Sequence, residues 1–179
     1  MMRKWNHILA RIILALFLLH ALMGSMMLLG FSTISLAPLS WLLFGSVMIH
    51  GVLGIVSTFK ALKSGKRSGS WYFSENAAFF IKRISGILIL ILLIFHIQVY
   101  TVSVNGQFFL QEFTLCKMIL QILLILAIFL HLAVSIKSML IARGTIDFKE
   151  KTVDWMLVLS VMLIFFTIAI IAYYIQWQV

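Results

Sequence analysis

The chain has 179 residues, of which 63% are hydrophobic and 11% charged, with a mean hydropathy of +1.13. A water-soluble domain of this length carries far more charge, so the composition makes lipid the solvent. The formal net charge of +9 does not indicate a nucleic-acid partner, because the cations lie in short clusters between long apolar runs, as in loops at a membrane surface.

Five apolar runs are each about the 20 residues that a 30 Å hydrocarbon layer requires of a helix. The first is Ile12–Phe31, in a helix expected over about 8–31. It follows a basic start but has no convincing small-residue cleavage pattern after it, so it reads as a retained span rather than a signal peptide. The second is Leu39–Phe59 (helix 39–62), the third Ile84–Val104 (78–104), the fourth Met118–Ile136 (113–142) and the fifth Val153–Tyr174 (152–176). No repeat, low-complexity tract or long linker divides the chain. The expected architecture is an all-α integral membrane bundle of five transmembrane helices, one domain over residues 1–179. Cys116 is the single cysteine, which excludes an intrachain disulfide, a thiolate zinc site and an iron–sulfur ligand set.

Orientation follows from Lys and Arg. Arg3, Lys4 and Arg11 precede the first span. Lys60, Lys63, Lys66, Arg67, Lys82 and Arg83 lie between the second and third, and Lys137, Arg143, Lys149 and Lys151 between the fourth and fifth. Thirteen of the 14 cations thus share one side, with Lys117 alone on the other. The positive-inside rule makes that side cytoplasmic, the N-terminus cytoplasmic and the C-terminus outside. Trp5, Trp41, Trp71, Trp155 and Trp177 fall near span ends, where amphipathic rings prefer to sit.

His20, His50, His96 and His131 lie one in each of the first four spans, while His7 sits near the cytoplasmic edge. An imidazole in hydrocarbon needs partners for both nitrogens and is a functional candidate by default. A single one could be a packed ring bonded to a neighbouring helix. Four on four helices point to a cofactor: a six-coordinate b-type haem takes two axial imidazoles, so four make two pairs. Zinc is the rival, although its ligands gather within a short reach. Counting about 1.5 Å per residue from the last cytoplasmic cation, His131 lies about 9 Å deep, His20 about 14 Å, His50 about 15 Å and His96 about 20 Å. His96 and His131 should therefore not share an iron, whereas His20 and His50 are too close in depth to be allotted. Gly24, Gly54 and Ser135 stand four residues after His20, His50 and His131, on the same helical faces. Such small residues leave room for a flat macrocycle and equally serve close helix packing.

The stretch Gly69–His96, GSWYFSENAAFFIKRISGILILILLIFH, resembles the cytochrome b membrane anchor of succinate:quinone oxidoreductases and fumarate reductases, in its single-polypeptide, five-helix, two-haem form. The likeness centres on an Arg-x-Ser-Gly element (Arg83, Ser85, Gly86) that opens a helix with a histidine thirteen residues after the arginine. It extends loosely over the first four spans. It implies that His20 and His96 hold an outer haem b and that His50 and His131 hold an inner one, with Arg83 and Ser85 near a haem propionate or a quinone. It also implies a cytoplasmic flavoprotein (FAD) subunit, an iron–sulfur subunit, a menaquinone-type quinone and a bacterial cytoplasmic membrane. The whole complex could form a higher oligomer. Some two-haem members carry a glutamate near the outer haem, whereas the spans of this chain hold no acidic residue beyond Asp154, at the cytoplasmic start of the fifth. Trp41, Asn105 and Gln107, polar or aromatic residues at outer span ends, are candidates for a quinone site there. Two other readings stay open: the cytochrome b subunit of a nitrate reductase or hydrogenase, and a haem-free transport or structural subunit.

Overall fold

The computed structural model describes residues 2–32, 34, 37–68, 77–100, 102–104, 107–109, 112–142, 144 and 153–178. Five helices dominate: α1 (Met2–Leu28), α2 (Ala37–Ser68), α3 (Ala77–Tyr100), α4 (Leu115–Ala142) and α5 (Val153–Gln178). Each is long and apolar enough to cross a membrane. This is a multi-pass, all-α membrane bundle. Trp71, Asn105, Arg143, Lys149 and Lys151 lie outside the described residues, and the side chains of Trp177 and Gln107 are also outside them.

The helix ends have local causes. α1 stops three residues before the expected Phe31. Gly30 adopts φ +77°, the amide of Phe31 donates to Met26 O at 2.9 Å, and that of Gly30 donates to Met27 O at 3.1 Å. This is the Schellman pattern, in which a left-handed residue lets the last carbonyls find donors. Pro38 stands in the first turn of α2, where its missing N–H costs no helical bond. Thr114 caps α4: its carbonyl accepts from Met118 N at 3.0 Å and its hydroxyl from Lys117 N at 3.4 Å. α3 ends at Tyr100, not at 104. The Val102–Val104 run instead pairs antiparallel with Gln107–Phe109 as a small hairpin, β1 and β2, with Val104 opposite Gln107. Hydropathy alone counts those valines into the span. Their β-branching and the Asn-Gly that follows favour a hairpin.

The helices form a ring in chain order. α1 packs on α2, α2 on α3, α3 most extensively on α4, and α5 lies against both α4 and α1, closing the circle. α1 with α3 and α2 with α4 are not packed neighbours; they face each other across the middle. α5 is apolar all round and is the most enclosed of the five. Its Leu159, Leu163 and Phe166 pack against Phe17 and Ala21 of α1 and Phe129 and Leu132 of α4, with Phe17 and Phe166 edge to face at 6.3 Å. Its two hydroxyls need no outside partner: Ser160 and Thr167 donate to the carbonyls one turn back, at 2.7 and 2.8 Å. Outward-facing Ile, Leu and Val such as Ile49, Val52, Ile87, Ile91, Leu126 and Ile164 are what a lipid-facing surface requires.

The bundle has two distinct ends. At one, Leu28, Val99, Phe113, Ile170 and Tyr173 form a buried cluster beside the hairpin. At the other, the first turns of α3 meet the last turns of α2 and α4: Lys82 Nζ donates to Ser138 Oγ at 2.6 Å and Arg83 Nη2 to Ser57 Oγ at 3.1 Å. These are the hairpin end and the cation end. Arg11, Lys60, Lys63 and Lys137 share the half of the bundle with Lys82 and Arg83, while Lys117 is at the hairpin end.

Gly30→Ala should destabilise the detergent-purified chain by about 1 kcal/mol or somewhat more, because an L side chain is strained at positive φ. Gly45→Ala, in a helix with no neighbouring atom within 4 Å of an added Cβ, should not lower stability. Thermal denaturation followed by circular dichroism compares the two.

Candidate functional site

The ring of helices places the four span histidines in two pairs, each across a diagonal. His20 of α1 and His96 of α3 have ring centres 6.1 Å apart with planes at 72°. His50 of α2 and His131 of α4 are 6.4 Å apart with planes at 87°. The depth count already kept His96 and His131 apart; the structure also allots His20 and His50, which the count could not. His7 is exposed near the start of α1 and belongs to neither pair.

Three of the four rings are held from behind through Nδ1. His96 Nδ1 lies 2.6 Å from Gln121 Oε1 on α4. His131 Nδ1 lies 3.1 Å from Ser85 Oγ on α3, and His20 Nδ1 lies 3.1 Å from Ser40 Oγ on α2. His50 Nδ1 is buried with no hydrogen-bond partner among the described residues. Of the three polar residues that are buried among the described residues, Ser25, Ser85 and Gln121, the last two touch histidines.

A regular offset connects the pairs. Along α2, Ser40 at the first pair is ten residues from His50 at the second. Along α4, Gln121 is ten from His131. Along α3, Gly86 is ten from His96, and a Cβ on Gly86 would stand 3.4 Å from His131 Cε1. Ten residues rise about 15 Å, so all three helices give the same axial separation between pairs. The His20–His96 pair lies toward the hairpin end and the His50–His131 pair toward the cation end.

Arg83 leans across from α3 toward α2. Its Nη2 donates to Ser57, its guanidinium carbon lies 5.0 Å from the centre of the Phe79 ring, and its Nη1 would be 3.5 Å from a Cβ on Gly54. Gly54 is one turn beyond His50 on the same face, so Arg83 reaches the neighbourhood of the second pair. Arg83 Nε is buried without a hydrogen-bond partner among the described residues. Ser85 is committed elsewhere: its hydroxyl lies 2.6 Å from Ile81 O and against His131. Its contact in the structure is therefore a histidine. Sequence reasoning passed over Ser40 and Gln121. Gln121 was visible as an uncharged amide inside an apolar run, the kind of residue that hydrocarbon tolerates only with a partner.

The residues fit a bis-imidazole cofactor. A metal–nitrogen bond of about 2 Å on each side, plus about 1.2 Å from each nitrogen to its ring centre, separates two coaxial imidazoles by about 6.4 Å. Both pairs have that spacing. A Cβ added at Gly24, one turn after His20, would meet nothing within 4 Å, which leaves space beside that ring. The unpaired Arg83 Nε is a donor suited to a carboxylate. A tetrahedral zinc site does not fit: among the described residues no three His, Cys, Asp or Glu side chains converge.

The fold and these pairs define a multi-pass helical membrane protein with two diagonal histidine pairs in its interior. Comparison with family models, with curated proteins and with solved structures finds no match to this chain.

Gly86→Val should push the His131 ring from its place and cost about 1–3 kcal/mol by overpacking the α3–α4 contact. Gly45→Val, with open space around it, is the control. Thermal denaturation in detergent should separate the two variants.

Proposed function

We propose that the chain is the dihaem cytochrome b membrane anchor of a succinate:quinone oxidoreductase or fumarate reductase, multi-pass in a bacterial cytoplasmic membrane. The observation that carries the haem reading is the spacing of the two histidine pairs, each drawn from helices facing across the bundle. Likeness over Gly69–His96 carries the choice of complex.

In this reading His20 and His96 hold the outer haem b, and His50 and His131 hold the inner one. Arg83 receives a propionate, its fork of donors matching a carboxylate. Bound there, each haem supplies a one-electron carrier inside the bilayer. The protein's part is to fix ring orientation and exclude water.

By the positive-inside rule the cation end faces the cytoplasm. Lys60 and Lys63 then stand where an iron–sulfur subunit would dock, with a flavoprotein (FAD) subunit beyond it, and positive charge would steer that association. Electrons exchange with a menaquinone-type quinone in the lipid. Dicarboxylate chemistry belongs to the flavoprotein: the one acidic side chain within the five spans, Asp154, stands in the first turn of α5, away from both histidine pairs. Co-purification with a covalent-flavin subunit and activity with succinate or fumarate would support this complex. A molybdenum partner would favour the nitrate reductase type instead.

The purified complex should show two b-type haems per chain in a reduced-minus-oxidised spectrum. His96→Ala should remove one and spare the other, His50→Ala should remove the other, and His7→Ala should remove neither. A colourless complex would overturn the proposal. Gly24→Ala and Gly24→Leu provide a separate check: an added Cβ meets nothing within 4 Å, so Gly24→Ala should keep the fold, and the bulkier leucine should weaken or remove the His20–His96 haem.

A further inference from the structure

We infer that Gln121 and Ser85 are positioning residues that set the tautomer of His96 and His131, each acting on the haem whose ligand lies on the neighbouring helix rather than on its own. The inference rests on the dihaem reading and adds to it the residues that tune each site.

The hydrogen-bond chemistry is directional. Gln121 Oε1 is a carbonyl oxygen and can only accept; with it 2.6 Å from His96 Nδ1, that nitrogen carries the proton, and Gln121 Nε2 on the other side of the amide has no hydrogen-bond partner among the described residues. Ser85 Oγ lies 2.6 Å from Ile81 O, which can only accept, so the hydroxyl proton goes there. The serine oxygen then accepts from His131 Nδ1–H at 3.1 Å. Both rings are thereby left with an unprotonated Nε2, whose lone pair is the one available to iron. The nitrogen that takes a metal is set by the hydrogen bond of the other, and an acceptor at Nδ1–H also strengthens the ring as an electron donor. Both holders are buried, Gln121 at 2% and Ser85 at 4% exposure, so water does not compete for these bonds.

The arrangement is crossed. α3 contributes His96 to the hairpin-end pair but Ser85 to the cation-end pair, and α4 contributes His131 to the cation-end pair but Gln121 to the hairpin-end pair. A disturbance spreading along one helix would affect the histidine of that helix. A lost Nδ1 acceptor affects the histidine across the interface.

The test uses the assembled complex, with the two haems assigned from the His96→Ala and His50→Ala spectra. Redox titration and low-temperature electron paramagnetic resonance of the ferric haems are the readouts. Ser85→Ala should raise the midpoint potential and shift the resonance of the His50–His131 haem only, and Ser85→Thr, which keeps an acceptor oxygen, should restore both. Gln121→Leu should do the same to the His20–His96 haem only, or release that haem alone. If Gln121→Leu does not assemble, Ser85→Ala decides, since it removes a single oxygen. A wild-type complex without haem would sink the dihaem reading and this inference together. A dihaem wild type whose variants keep both potentials, or shift the haem whose ligand shares their own helix, would sink this inference alone.

Discussion

An imidazole surrounded by hydrocarbon has two nitrogens to satisfy and no water to satisfy them, and four such rings govern how this bundle is arranged. Three of the four are held by a side chain from another helix, and His50 Nδ1 is left without a partner among the described residues. His96 finds Gln121, His131 finds Ser85, and His20 finds Ser40. Because these contacts run between sequential helices, they fix the register of α1 on α2 and of α3 on α4. The opposite sides of the rings then meet across the diagonals, at the spacing of the two pairs. Side-chain packing between apolar helices supplies little register of its own in lipid, where one Leu or Ile is much like the next.

α5 has no histidine and enters none of these contacts. It contributes closure. Lying between α4 and α1, it fills a seam that a four-membered ring would have to close by drawing α1 onto α4. With α5 in place those two helices stay apart and the diagonals keep their width. Its uniform apolarity suits a helix that touches protein on one side and lipid on the other, with Ser160 and Thr167 satisfied within the helix.

Much of this was legible in the residues. Apolar length gives the five helices, and a histidine in each of four spans marks the candidate site. The ends were read less well, because hydropathy cannot tell the valines of β1 from a continuing helix, or see that Gly30 turns left-handed before Phe31. Depth counted from cations separated His96 from His131, yet long basic side chains blur that scale by a turn, which left His20 and His50 unassigned. Ser40 and Gln121 escaped notice because their role depends on which helix lies beside which, and one-dimensional periodicity carries no such information. Ser85 was singled out through family likeness, but its contact in the structure is His131.

The recurring separation of ten residues on α2, α3 and α4 has a consequence for how such a chain can change over time. Ten residues are about 2.8 turns, so each histidine sits on a face adjacent to that of Ser40 on α2, Gly86 on α3 and Gln121 on α4, and serves a different site from it. One residue gained or lost between Ser40 and His50, Gly86 and His96, or Gln121 and His131 would swing one member about 100° away from its site. Those three windows are therefore closed to insertions and deletions, although nearly any apolar side chain would do at most positions inside them.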